Sequence, residues 1–278
     1  MKIITDIDEM KQFSQNLKKT SKKISFVPTM GKLHAGHKKL IEEAKKYGET
    51  VVSIFVNPLQ FAPNEDFGNY PRDIEKDAEI LSSMNISCLF YPSADIVKNT
   101  ETFLINPKYS GILEGVFRPE HFQGVLTIVM KLFCIVVPDF AFFGLKDYQQ
   151  YVLVKKMAED YFLGVKIIPV ETVRERCGLA MSSRNVYFGE ADKKKACAFY
   201  EALKKTADLF KAGEKSSEKL TSFVIKELIN AGFEIDYAKI TDERLCGGKP
   251  DAECGDILLA AVRFKGVRLL DNIFFTSS

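Results

Sequence analysis

The sequence predicts an α/β fold, a parallel sheet covered by helices with a smaller C-terminal α+β domain behind it, and three features carry that expectation. Short β-branched or aromatic runs at 24–27, 51–56, 88–91, 140–143 and 166–170 alternate with stretches of helical apolar spacing, the pattern of strands joined by crossover helices. The runs Val51-Val52-Ser53-Ile54-Phe55-Val56 and Ala141-Phe142-Phe143 are apolar on both faces, as strands covered on each side by helices must be. After Asn185 the order changes. Ala196, Phe199, Leu203 and Phe210 mark one helix face and Leu220, Phe223, Val224 and Leu228 another, before strand-like runs at 235–240, 257–264 and 267–275. Two domains, 1–183 and 184–278, are therefore expected, with a linker through 183–186. Cys246-Gly247-Gly248-Lys249-Pro250 reads as a surface loop of the second.

With 278 residues, 46% of them hydrophobic, the chain is long enough to bury a sizeable core. Its 39 basic and 37 acidic side chains leave a net charge of only +2, so no whole-chain field draws it to nucleic acid or an anionic membrane. No basic tract studded with aromatics is present either. An anionic ligand would need a local basic pocket. The six cysteines, Cys88, Cys134, Cys177, Cys197, Cys246 and Cys254, form no C-x-x-C pair and several lie in apolar runs, so reduced thiols in a cytoplasmic protein are expected. The first residues turn polar at once, and no apolar run approaches the roughly 18 residues of a spanning helix, so neither a signal peptide nor membrane insertion is expected.

Two of the three histidines lie in Pro28-Thr29-Met30-Gly31-Lys32-Leu33-His34-Ala35-Gly36-His37, directly after the apolar run 24–27 and ahead of the helical spacing of Leu40, Ile41 and Ala44. They fall where a helix begins, three apart and on one face. A helix start offers backbone N–H groups and a partial positive charge, and Gly36 removes a side chain where a ligand would approach the backbone, so the segment suits an anion such as phosphate. The same pair would also serve as a helix cap alone. Metal binding is the weaker alternative, because no cysteine or carboxylate lies at ligand spacing.

Other chemistry-bearing segments sit after strands, where ligands of α/β sheets collect. Gly144-Leu145-Lys146-Asp147 follows the run 140–143, with Asp147 placed to cap the next helix and Lys146 to point into the crevice at the strand ends. Asn57-Pro58-Leu59-Gln60-Phe61 follows the run 51–56. Gln60 and Gln150 are placed to hydrogen-bond a small polar substrate. The stretch 174–185 gathers Gly178, Ser182, Ser183 and Arg184 into an irregular, flexible segment rich in donors for phosphate oxygens. Arg118 and His121 form a further cationic pair ahead of a helix at 125–136. Neither a G-x-x-x-x-G-K-[ST] loop nor G-x-G-x-x-G nor a zinc signature occurs. No serine or cysteine stands beside a histidine as a recognisable nucleophile, leaving stabilisation of phosphoryl charge as the chemistry implied.

Taken in order, these segments resemble the pantoate–β-alanine ligases, within the superfamily of HxGH nucleotidyl transferases and class I aminoacyl-tRNA synthetases. The likeness rests on 28–37, 53–61, Tyr70-Pro71-Arg72, 121–125, 142–150, Met181-Ser182-Ser183-Arg184-Asn185 and Arg268-Leu269-Leu270-Asp271-Asn272. It implies a Rossmann-like first domain and ATP-dependent ligation of (R)-pantoate and β-alanine through a pantoyl adenylate, with Mg²⁺ accompanying ATP. By the same resemblance Met30, Gly31, Lys32, Leu33, His34, Ala35, Gly36 and His37, with Gly144, Leu145, Lys146 and Asp147, contact ATP. Val173 meets the adenine, and Met181, Ser182, Ser183 and Arg184 form a mobile loop over the phosphates. His37 is the family's catalytic residue, His34, Lys146 and Arg184 offset phosphoryl charge, and Gln60 and Gln150 hold pantoate. No protein-borne metal site is implied, and the family precedent is a homodimer.

Three positions depart from the family pattern. Lys32 stands for its alanine, Ala35 for an acidic residue and Leu145 for a glutamate; none removes a group assigned to chemistry. Two other readings share the same residues: a nucleotidyl transferase of the superfamily acting on a phosphorylated substrate, and a nucleotide-binding protein that has lost turnover.

Overall fold

The computed structural model describes residues 1–63 and 65–277. It contains two compact units, the first made of residues 1–145 and 149–171, the second of 146–148 and 172–278.

Six parallel strands form the first unit's sheet: β1 (Lys2–Ile4), β2 (Ile24–Thr29), β3 (Glu49–Ile54), β4 (Cys88–Phe90), β5 (Phe140–Gly144) and β6 (Lys166–Val170). Their order is β1-β4-β3-β2-β5-β6. The direction of winding reverses between β2 and β5, which pair only through Ser25↔Phe140 and Phe26↔Ala141. Beyond Phe26 the ladder between them stops, so their carboxyl ends, Pro28-Thr29 and Phe143-Gly144, frame the switch point where α/β sheets bind ligands.

The helices follow from caps and apolar spacing. In α1 (Ile7–Lys19) Asp6 accepts from Glu9 N at the start and Lys18 and Lys19 lie in the last turn, both favourable to the helix dipole. α2 (Ala35–Ala44) and α3 (Ile74–Ser83) bury Ile41, Ala44 and Leu81 against Val27, Val52, Leu89 and Phe142 on one sheet face. Short α4 (Pro107–Ser110) and α5 (Glu114–Phe117) precede α6 (His121–Val136), most of whose residues are buried, with Phe133 edge-on to Phe26 at 6.3 Å. α7 (Tyr148–Asp160) connects β5 to β6.

The second unit stacks α8 (Glu190–Ala196), α9 (Ala198–Lys211) and α10 (Ser217–Asn230) with an antiparallel sheet ordered β7 (Glu234–Thr241), β8 (Ile257–Phe264), β9 (Val267–Phe274). β8 is buried on both faces except at Arg263, because strands flank it on each side and helices cover it. Phe199, Leu203, Phe210, Leu220, Val224 and Leu228 pack there with Phe275, which stacks on Phe210 at 4.7 Å.

The α/β sheet and the smaller α+β unit match the expected fold class. Strands β6 and β8 coincide with the ranges expected for them, whereas β1 had no pattern to announce it: three residues long, it buries only Ile4. The helix expected at 125–136 starts at His121, placing His121 and Gly124 on its first turns. The compact units divide after Glu171, earlier than the expected 183/184 boundary, because residues 173–181 close into a hairpin held within the second unit by Met181 N donating to Val173 O and by the Arg174↔Ala180 bridge.

The cysteines require a correction. Cys177 and Cys197 form a disulfide, leaving Cys88, Cys134, Cys246 and Cys254 as thiols. Gly178, at φ +92°, turns the hairpin tip so that Cys177 reaches Cys197 at the α8–α9 junction, a proximity that a separation of 20 residues without a spacing motif does not announce. The bridge also removes the ground on which a reducing compartment was expected. Burial, meanwhile, pushes the Cys88 thiol up to about 12. Alkylation of the denatured but unreduced protein should label four cysteines, as counted by intact mass, and six only after reduction; six labels without reductant would contradict the bridge.

Candidate active site

In the first unit the site is built at the exit of β2. Gly31 at φ +82° and Lys32 at φ +50° turn the chain towards α2. Thr29 Oγ1 steadies the turn by donating to Ser53 O at 2.8 Å and accepting from Gly31 N at 3.2 Å. From α3, the buried Asp77 carboxylate accepts from Lys32 N at 2.7 Å and Leu33 N at 2.8 Å. His34 then caps α2: its Nδ1 accepts from Gly36 N at 3.1 Å, and its own N–H donates to His37 Nδ1 at 3.3 Å. The two imidazoles lie 4.1 Å apart, centroid to centroid.

Capping and ligand binding, alternatives at the level of sequence, prove to be compatible. A neutral imidazole that accepts at Nδ1 carries its proton at Nε2, so the cap bonds fix both rings as Nε2–H donors at a helix N-terminus. The structure also revises the expected row of open amides. Those of Lys32 and Leu33 are taken by Asp77, and those of His34 and Gly36 by imidazoles, so these four N–H groups are bonded within the protein.

Gln60 sits in a 3₁₀ turn after β3, capped by Asn57. Asn57 Nδ2 donates to Gln60 Oε1 and to Gly124 O, each at 3.1 Å, and Gln60 Nε2 lies 2.9 Å from Met30 Sδ. A side chain at Gly124 would place its Cβ 2.1 Å from Leu59 O, so only glycine lets α6 approach this turn. The Gln60 carbonyl accepts from Arg118 Nη2 at 3.2 Å and from His121 Nδ1 at 3.0 Å, while Arg118 pairs with Glu65 at 2.6 Å. Arg118 and His121, read from sequence as a ligand-binding cation pair, thus brace the Gln60 turn. On α7 the neighbouring glutamines divide: Gln149 is buried and bonded to Glu114 N, Tyr109 O and Ile112 O, whereas Gln150 is half-buried. Gly144 and Leu145 close β5, with open space where a Gly144 Cβ would stand.

The second unit gathers the remaining candidates around Arg174. Its guanidinium grips the buried Asp271 bidentately, at 2.5 and 2.9 Å, donates to Gly178 O and Asn272 O, and lies 3.7 Å from the Tyr200 ring centroid. Asn272 Nδ2 donates to Lys146 O at 3.1 Å, and the Lys146 ammonium lies 3.3 Å from Asp147. Val173 and Met181 pair through their backbones, and Ser182 caps the 3₁₀ turn Ser183–Tyr187 by accepting from Arg184 N. The stretch expected to be irregular has little regular structure but is anchored, through the hairpin contacts of 173–181 and the 3₁₀ turn that follows. Burial pushes the Asp271 carboxyl above its usual range, more than the Arg174 hydrogen bonds and charge draw it back.

The Pantoate-beta-alanine ligase family model matches residues 2–274. The chain belongs to that family. It is 42% identical over 276 residues to the pantothenate synthetase of Thermotoga petrophila, covering 98% of this chain and 99% of the relative. Identity to the Bacillus cytotoxicus pantothenate synthetase is 43% over 281 residues, covering 99% of each. Its fold superposes on the crystal structure of pantothenate synthetase from Thermus thermophilus with a TM-score of 0.93 at 35% identity, over 99% of this chain and 100% of that one. The pantoate-beta-alanine ligase of Francisella tularensis, solved with beta-gamma ATP and beta-alanine, gives 0.81 at 36% identity, over 99% and 97%.

The His34 and His37 segment, which sequence alone had singled out, lies within the stretch that the family model matches. Asp77, Asn57, Glu65, Arg174 and Asp271 were missed as site-building residues. Only the Asp271-Asn272 pair inside an apolar strand carried a visible signal, since buried polar groups need partners.

His121 is held neutral by its surroundings. Desolvation first, then the Arg118 charge, lowers its pKa to about 4. Burial likewise pushes Glu65 up, but the Arg118 bonds and charge outweigh it and hold that carboxyl below its usual range. An unfolded histidine titrates near 6.5, so between about 6.5 and 4 the unfolded chain binds the extra proton and stability falls as pH falls. The thermal midpoint of the wild type should drop across that window by more than that of His121→Gln; equal slopes would contradict the assignment.

Proposed function

We propose that the chain joins (R)-pantoate to β-alanine in two steps at the expense of ATP. In the first, a pantoate carboxylate oxygen attacks the α-phosphorus, the bond to the bridging oxygen of the β-phosphate breaks, and pyrophosphate leaves. In the second, the unprotonated β-alanine amine attacks the acyl carbon of pantoyl adenylate, the bond to AMP breaks, and the amine proton is lost to form the amide. Both steps need positive charge and hydrogen-bond donors, because an anion approaches an anion and more charge collects on each leaving group.

The observation that carries this reading is the pair of imidazoles fixed as Nε2–H donors at the start of α2, in a chain that matches the ligase family along nearly its whole length. His37 and His34 are assigned to the phosphate charge of the adenylation step. Lys146 and Arg184 add full positive charges for the triphosphate, with Ser182 and Ser183 as hydroxyl donors. Met30, Gly31, Lys32, Leu33, Ala35 and Gly36, together with Gly144, Leu145, Asp147, Val173 and Met181, are assigned to contacts with ATP that do not use the amides already bonded at Lys32, Leu33 and Gly36. Gln60, held by Asn57 and braced by Arg118 and His121, and Gln150 are assigned to pantoate. Among the described residues no three His, Cys, Asp or Glu side chains cluster as a metal cage. A magnesium ion would therefore enter on ATP, held mainly by phosphate oxygens, and neutralise part of their charge. No helix among the described residues is long and apolar enough to cross a membrane. A homodimer is proposed by family precedent alone.

His37→Gln separates the cap from the chemistry. Glutamine at this helix position still accepts from the cap N–H, so the variant should fold with an unchanged melting profile while pantoate-dependent pyrophosphate release falls by about a hundredfold or more. Activity near wild type would remove His37 from the proposed chemistry. Adding β-alanine to the wild-type reaction should then yield pantothenate by mass, and its absence would overturn the ligase reading.

A further inference from the structure

Asp77 has no part in the chemistry proposed above, yet it is 3% exposed and its carboxylate is spent on two successive backbone amides of the loop that leads into His34. One oxygen takes Leu33 N and the other Lys32 N. The loop is one that would not hold this shape unaided. Gly31 and Lys32 both have positive φ, a conformation that for lysine is disfavoured. The turn aims the successive amides of Lys32 and Leu33 at one carboxylate, the kind of nest of backbone N–H groups that ordinarily receives an anion. Here the anion belongs to the protein.

We infer that Asp77 is a positioning residue for adenylation: by filling this nest it fixes the Met30-to-Leu33 loop, and through it the two imidazoles, in the geometry that meets the phosphates. The inference rests on the ligase reading of the same segment. Gly31 is also matched to the clamp, since a Cβ there would lie 3.0 Å from Asp77 Oδ2 and 3.1 Å from Ile54 Cγ2. A pocket of about 320 Å³ lined by Gly31, Ile54, Arg72, Asp77 and Tyr91 among others borders the loop, so a loop released from Asp77 has space to move into. The clamp also assigns the two amides away from the ligand: phosphate does not compete for Lys32 N–H or Leu33 N–H.

Asp77→Asn preserves shape and one acceptor while turning an NH₂ towards the second amide. Pantoate-dependent pyrophosphate release, measured per folded molecule, should lose about a hundredfold in kcat, with KM for pantoate held within about threefold. A merely structural role would lower the folded fraction and leave kcat per folded molecule untouched; that result overturns the inference. Should the variant fail to fold, amide hydrogen exchange on the wild type decides. Lys32 and Leu33 should be protected without ATP and unchanged when ATP is added, whereas amides that exchange freely until ATP arrives would refute the clamp. A wild type that releases no pyrophosphate with pantoate would instead sink the ligase reading, and the amide result would stand apart from it.

Discussion

The bond from the His34 amide to the His37 ring is weak by itself, worth about 1 kcal/mol as helix caps go, but the chemistry of the first unit is arranged around it. It starts α2 at the exit of β2. It also uses the Nδ1 lone pair of His37, as Gly36 N uses that of His34, which leaves each neutral ring with its proton on the far nitrogen. A cap made from serine or aspartate would begin the helix equally well and supply no such donors. Asp77 and Thr29 serve this cap by holding the chain that enters it.

The second unit solves a different problem by burying charge. Arg174 and Asp271 are costly to desolvate, and a pair of this kind is repaid only by good geometry and further hydrogen bonds. Both are present: the bidentate grip, two carbonyl acceptors and the Tyr200 face. What the pair secures is register, since it joins the root of the 173–181 hairpin to β9, and Asn272 beside it takes the carbonyl of Lys146. The disulfide at the hairpin tip adds a second anchor.

How much of this was legible in the sequence depended on whether a residue's partner was local. Strands at 166–170 and 257–264 were readable because each carries its own apolar run, and the His34–His37 pair because both ends of the interaction lie within one helical turn. Asp77 was invisible: it is one acid in an amphipathic helix, and the amides it holds lie more than forty positions away. Arg174 read only as part of an irregular, donor-rich segment because its partner, Asp271, comes near the end of the chain. Cys177 and Cys197 were taken for thiols because nothing in their spacing reports the turn at Gly178. Arg118 and His121 were noticed for their charge, but only the fold shows both bonded to the Gln60 carbonyl.

With only three histidines in the chain, ¹⁵N NMR of the imidazole nitrogens tests the central arrangement directly. His34 and His37 accept at Nδ1, whereas His121 must donate from Nδ1 to a carbonyl and accept at Nε2 from Arg118. At a pH where the rings are neutral, the spectrum should therefore show two rings protonated at Nε2 and one at Nδ1. A proton on Nδ1 of His34 or His37 would contradict the cap, and with it the donors on which the proposed adenylation depends.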